Sequence, residues 1–273
     1  MEREEYIMNE MMKAELKSKI DKAGLVSFDI FDTLLFRKTN TPETVFDLVG
    51  KHFGIVGFRK LRMDMQNEAS RRAWEAYQHP HADMDQIYEV LAEHTEYPVD
   101  WMEVKEYEIQ MEKDALVANR ELLDIFHYAK AQGKRVVAVS DMYLFADTLW
   151  DILKERGYED IDHVYCSADE RKAKFNKQLF ARVAEAENIP PEQILHIGDK
   201  ARDDGEYPAE FGWQTFVYNR ECDLEKLRNA LSFTFFSGLS GEEAAKLQNC
   251  NVNTLYGRVA RAKELLYEKL KGF

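Results

Sequence analysis

Four mostly apolar residues, Leu25 to Phe28, run straight into Asp29, and a Thr-containing turn follows in Ile30-Phe31-Asp32-Thr33-Leu34-Leu35. This stretch reads as a buried β-strand that ends in a carboxylate. Such a carboxylate is costly unless a cation or a reaction needs it. Ligands of open α/β sheets bind outside the carboxyl ends of the strands, so Asp29 is the first candidate for chemistry. The competing reading makes Asp29 and Asp32 caps of a turn.

Four more short runs follow, each separated from the next by a helical pattern. Arg135–Ser140, His163–Cys166, Ile194–Ile197 and Gln214–Tyr218 read as strands, and helices are expected near 120–131, 144–156 and 177–187. Gly133, Gly157 and Asn188 stand where those helices should stop. Five strands with helical crossovers imply a right-handed, Rossmann-like parallel sheet covered on both faces. An amphipathic helix from about Glu2 to Lys22, stopped by Gly24, precedes it. Between the first strand and the rest, residues 41–117 carry no strand pattern. They show helical periodicity at Val45/Phe46/Leu48/Val49, 58–77, 84–94 and 101–116, an all-helical insert of roughly 75–80 residues. The expected division is a core of 1–36 and 119–222, an insert of 37–118 and a helical tail of 223–273.

Charge separates the parts further. The net charge is −13, which argues against general nucleic-acid binding. From Asp223 onward eight Lys/Arg face six Asp/Glu, a net of +2, so the first 222 residues carry −15 and any DNA contact belongs to the tail. No apolar run approaches a membrane span, and the charged N-terminus has no signal-peptide stretch. Cys166, Cys222 and Cys250 are scattered and not at metal-ligand spacing. A cytoplasmic protein fits these features.

Polar residues gather at the predicted strand ends: Asp29 after the first, Ser140 at the second, and Asp199 with Asp203 and Asp204 after the fourth. Lys174 follows the third. Carboxylates, a hydroxyl and an ammonium at one sheet edge form a pattern that stability does not require. Oxygen ligands without His or Cys suit Mg²⁺. The cation and Lys174 would offset the charge of a phosphoryl group, Ser140 would hydrogen-bond one of its oxygens, and Asp29 would be the nucleophile. Asp199 with Asp204 is the preferred ligand pair, Asp203 the second choice. Lys172 and Lys177 rival Lys174.

FDIFDTLL resembles the first motif of the haloacid dehalogenase (HAD) superfamily, with Asp29 in the nucleophile position. VVAVS resembles the second with Ser140, Lys174 the third, and HIGDKARDD the acidic fourth. The resemblance covers about Gly24 to Tyr218. It implies that the helical insert is a cap over the site, and that residue 31 ligates the metal through its backbone carbonyl. Phosphatases of that superfamily usually place a second Asp two residues after the nucleophile to protonate the leaving group; here that residue is Phe31, and Asp32 comes one later. Such acid–base help is worth on the order of 10²–10⁴ in rate. The options are a phosphatase using another acid, a hydrolase of another bond, or a slow, binding-type relative. On the insert, Arg71, Arg72, Trp74 and Tyr77 read as a helix face.

The tail carries a stripe at Val252/Leu255/Val259/Ala262/Leu266/Leu270 on a long helix after a short one at 242–247, a helix-turn-helix pattern. It resembles the promoter-reading region 4 of bacterial sigma factors, which implies Asn253, Thr254, Arg258 and Arg261 as DNA contacts. A helical appendage for dimerisation or packing is the other reading. Two functions therefore compete: a Mg²⁺-dependent hydrolase of a small, phosphorylated metabolite acting through Asp29, or a regulator whose HAD-like domain senses a ligand while the tail binds DNA.

Overall fold

A computed structural model of the chain describes residues 8, 10–39, 41–95, 97–218, 231, 240–247, 252, 255–257, 259 and 262–263. The chain forms two compact units, Met1–Tyr218 and Asn219–Phe273.

The first unit is built on five parallel strands: β1 (Leu25–Phe28), β4 (Arg135–Ser140), β5 (His163–Cys166), β6 (Ile194–Gly198) and β7 (Gln214–Val217). Their order is β5-β4-β1-β6-β7, so the Asp29 strand is central. Alternation along each strand sends residues to opposite faces. Val26, Phe28, Val136 and Ala138 pack with Leu16 and Ile20 of α1 (Glu10–Lys22), Phe126 of α6 (Arg120–Ala131) and Leu149 of α7 (Ala146–Glu155). Leu25, Val137, Val139 and Ile194 pack on the other side against Leu179, Phe180 and Val183 of α9 (Gln178–Glu187), which follows the one-turn α8 (Ser167–Glu170). Both faces are thus covered, as a sheet of near-continuous apolar strands requires. Burying a side chain such as Phe126 contributes roughly 1.5–3 kcal/mol.

Four helices occupy the insert: α2 (Thr44–Phe53), α3 (Phe58–Tyr77), α4 (Met84–His94) and α5 (Trp101–Ala115). Asp83 opens α4 with a reciprocal capping box to Gln86, which explains the break after His79-Pro80-His81. One expectation is corrected. The helical pattern at 101–116 stops at Ala115, and β2 (Leu35–Arg37) pairs antiparallel with β3 (Leu116–Ala118). This ribbon brings the two ends of the insert together beside the turn after Asp29.

The second unit includes α11 (Gly241–Leu247), numbered after the short α10 (Tyr207–Glu210) of the first unit. Ser240 and Glu243 cap α11 reciprocally. Ala244, Ala245, Leu255 and Val259 form its small core, with Leu231 and Val252 against it. Asn253, Thr254, Arg258 and Arg261, the expected DNA contacts, lie outside the described residues.

Candidate active site

Three strand ends, those of β1, β4 and β6, meet at one small cavity, joined by Lys174 from the loop after α8. β1 stops at Phe28, but the Asp29 amide still donates to the Ile197 carbonyl at 2.8 Å, holding the carboxylate over the centre of the sheet. The chain then turns tightly: Asp32 takes a left-handed backbone, φ 60°, a conformation Asp tolerates better than most residues. That turn is pinned from below. Asn119 donates to the Thr33 carbonyl and Tyr158 to that of Leu34, both at 2.8 Å.

Ser140 ends β4 and is buried. Asp141 beyond it accepts the Lys174 amide with both oxygens at 3.0 Å, which sets the loop that carries the lysine. The Lys174 ammonium lies between two carboxylates, 2.5 Å from Asp29 Oδ1 and 2.8 Å from Asp204 Oδ1. Lys172 and Lys177 point elsewhere, the first to the Glu170 carbonyl and the second to Glu210.

After β6 the chain makes a wide π-helical turn, Ala201–Glu206, which returns Asp204 beneath Gly198. A Cβ at Gly198 would sit 2.3 Å from Asp204 Cγ, so no larger residue fits there without moving the acid. The Lys200 amide donates to Asp204 Oδ2 at 3.0 Å. Asp199 is buried and accepts from Thr33 Oγ1 at 3.4 Å. Asp203 is only partly buried and lies on the cavity wall.

Asp29, Asp199 and Asp204 each offer an oxygen, all within 4.8 Å of one another. Phe31, Asp32, Ser140, Asp141, Lys174, Lys200 and Asp203 complete the wall with Asp29 and Asp204 around a cavity of about 60 Å³. Asp32, with its left-handed backbone, lies on that wall despite its one-residue offset. The Phe31 ring lies under the Arg37 guanidinium, 4.9 Å away.

Charge is not balanced here. Burial pushes the Asp29 carboxyl up to about 6 even though Lys174 works against that, and the neighbouring Asp204 adds to the rise. Burial also opposes the Asp204 charge, but Lys174 and His196 more than offset it and hold that carboxyl well below the usual range. Lys174 sits between two of the three buried carboxylates and Lys200 acts on Asp29 and Asp199, so two cations face three acids and the cluster is short of positive charge. An oxygen-only donor set with that deficit fits a hard divalent cation such as Mg²⁺.

Two further groups behind the site escaped the sequence reading. Ser27 and His196 are buried, and their side chains meet at 2.8 Å; His196 Nε2 is 3.1 Å from Asp204 Oδ1. The signal was a polar residue inside each apolar strand, two or three positions before its Asp. On the rim, His81 of the insert lies 3.7 Å from Asp141, and Arg171 meets Asp83 at 3.0 Å.

The family described as haloacid dehalogenase-like hydrolase matches residues 24–207. Similar solved structures include a HAD-family enzyme from Bacteroides thetaiotaomicron in complex with magnesium and inorganic phosphate, with 14% identity over 73% of this chain and 96% of that one, TM-score 0.50. The HAD-hydrolase YfnB from Bacillus subtilis, bound to magnesium, has 18% identity over 73% and 90%, TM-score 0.50. An L-2-haloacid dehalogenase has 16% identity over 72% and 85%, TM-score 0.53. At these identities the likeness is one of fold. No curated protein sequence matches the chain.

Proposed function

The chain belongs to the haloacid dehalogenase-like hydrolases, and from that premise we propose that it is a Mg²⁺-dependent phosphatase of a small phosphorylated metabolite, with Asp29 as nucleophile. The observation that carries this reading is the Lys174 ammonium shared between Asp29 and Asp204 at the edge of the three-carboxylate cluster. Lys174 holds Asp29 Oδ1; the other oxygen attacks phosphorus, the bond to the leaving oxygen breaks, and an aspartyl phosphate forms. Ser140 donates its hydroxyl to a non-bridging phosphoryl oxygen, and Lys174 offsets the charge gathered on that group. Water then cleaves the aspartyl phosphate and returns Asp29. Asp29, Asp199 and Asp204, with the Phe31 carbonyl, would hold Mg²⁺, which supplies positive charge beside the transferring group.

Phe31 leaves the position of the usual second acid without a proton donor. Asp32, one residue later and on the cavity wall, is the neighbouring acid that could protonate a departing alkoxide in its place, whereas leaving groups that depart as stable anions need no such help. Helices α2–α5 serve as the cap. Contacts of His81 and Asp83 with the core loops support this.

The test is turnover of a panel of aryl and alkyl phosphoesters and acyl phosphates, with Mg²⁺ and with EDTA. Mg²⁺-dependent release of phosphate that disappears in Asp29→Asn is expected. Equal turnover by Asp29→Asn would sink the reading. The regulatory alternative draws support from the capped α11 and the buried Leu255/Val259 stripe of the second unit. A mobility shift against promoter DNA that Arg258→Ala and Arg261→Ala leave unaltered would remove it.

A further inference from the structure

Ser27 and His196 are partners in the β1–β6 register, on the sheet face packed by Phe180 and Trp213. The strand residues around them on that face, Leu25, Val137, Val139 and Ile194, are apolar. A buried hydroxyl and imidazole in such a layer cost stability unless hydrogen-bonded, and apolar residues would fill both positions. Their bonds run in one line, from Ser27 Oγ to His196 Nδ1 at 2.8 Å and from His196 Nε2 to Asp204 Oδ1 at 3.1 Å.

For a neutral imidazole the hydrogen-bond pattern along this line has one solution. An ionised carboxylate only accepts, so His196 Nε2 carries the hydrogen and donates it to Asp204; Nδ1 then accepts from the Ser27 hydroxyl. Asp204 is gripped by three donors, His196 and Lys174 on Oδ1 and the Lys200 amide on Oδ2. A carboxylate has about four acceptor positions, so the plane of Asp204 is fixed with one left over.

We propose that Ser27 and His196 are positioning residues for a divalent cation, acting through Asp204: they fix its carboxylate so that the remaining acceptor position meets the oxygens of Asp29 and Asp199. The inference rests on the metal reading above. It differs from that reading in placing part of the ion's affinity in two strand residues that do not touch the ion. Outer partners of this kind typically govern 10–100-fold in metal affinity.

Mn²⁺ titration of the full chain, followed by the electron paramagnetic resonance of free Mn²⁺, tests the proposal without using activity. His196→Phe keeps a ring against Phe180 and Trp213 and removes the donor. His196→Gln restores a donor, and Ser27→Ala frees the imidazole to rotate. The expected result is a Kd for Mn²⁺ raised about 10–100-fold in His196→Phe, partly recovered in His196→Gln, and raised toward the lower end of that range in Ser27→Ala. Thermal midpoints separate this from a packing defect, because a purely structural role lowers the midpoint and leaves Kd unchanged. If His196→Phe does not fold, Ser27→Ala decides. Unchanged Kd in the folded variants overturns the proposal and leaves the metal reading standing; wild-type protein that binds no Mn²⁺ overturns both.

Discussion

In the helical insert, the fully buried guanidinium of Arg62 meets the fully buried carboxylate of Glu108 at 2.8 Å; at the sheet edge, three buried carboxylates cluster and two of them share the buried ammonium of Lys174. Both clusters are buried and rich in charge. The first is closed: Tyr88 donates to Glu108 at 2.7 Å, Gln66 accepts from Arg62 at 2.9 Å, and the rings of Phe46, Tyr143 and Tyr88 surround the cation. Burial works against the Arg62 charge, and Glu108 more than restores it. A second pair, Arg37 with Glu112, is completed by the Tyr143 hydroxyl at 3.0 Å. The site is open by contrast: burial raises the Asp29 carboxyl, and Lys174 undoes only part of that rise. A cluster whose charges cancel has its partners already; one with surplus charge is built for something that arrives later.

That contrast predicts opposite signs for two deletions of charge. Glu108→Ala strands a buried guanidinium and should destabilise the protein by about 3–5 kcal/mol. Urea unfolding measures this, and a loss near zero would mean the insert cluster is not structural.

Asp29→Asn should do the reverse in EDTA. The Asp29 carboxyl goes from an ordinary 3.8 to about 6 on folding, so the folded chain binds this proton more tightly than the unfolded one. Its contribution to stability therefore falls as pH rises from about 4 to about 6 and stays lost above. At neutral pH the asparagine variant is expected to gain up to about 3 kcal/mol. The wild type should lose stability across that pH window and the variant should not. A destabilised Asp29→Asn would break the comparison.

The smallest effect belongs to the surface. Arg71 on α3 meets Glu68 and Glu75 in solvent, and such exposed pairs contribute little. Arg71→Ala should leave both the unfolding midpoint and KM unchanged. A raised KM would make the helix face of 68–75 part of the substrate site.

How far these regions could be read from sequence differs for a physical reason. Local pattern gave α3 and α4 at their observed bounds, and β4 likewise: one apolar face dominates α4 and one buried run makes β4, while α3 stands between Gly57 and the left-handed Gln78. The β2–β3 ribbon was not visible. Its strands are three residues long and pair about eighty positions apart, and the apolar stripe of α5 simply continues into Leu116. The acidic strand ends drew attention, since a carboxylate after an apolar run is unusual. Choosing Asp204 over Asp203 on geometry needed the π-helical turn, and Ser27 with His196 needed the register between two strands. Arg62 and Glu108 were invisible for the same reason: each is an ordinary polar helix residue until tertiary packing joins them.

Anomalous diffraction from Mn²⁺-soaked crystals measures the surplus charge most directly. The account predicts one strong peak bounded by the carboxylates of Asp29, Asp199 and Asp204, and none beside Arg62 and Glu108. Saturating Mn²⁺ without a peak among those three acids, or with its only peak elsewhere, would contradict it.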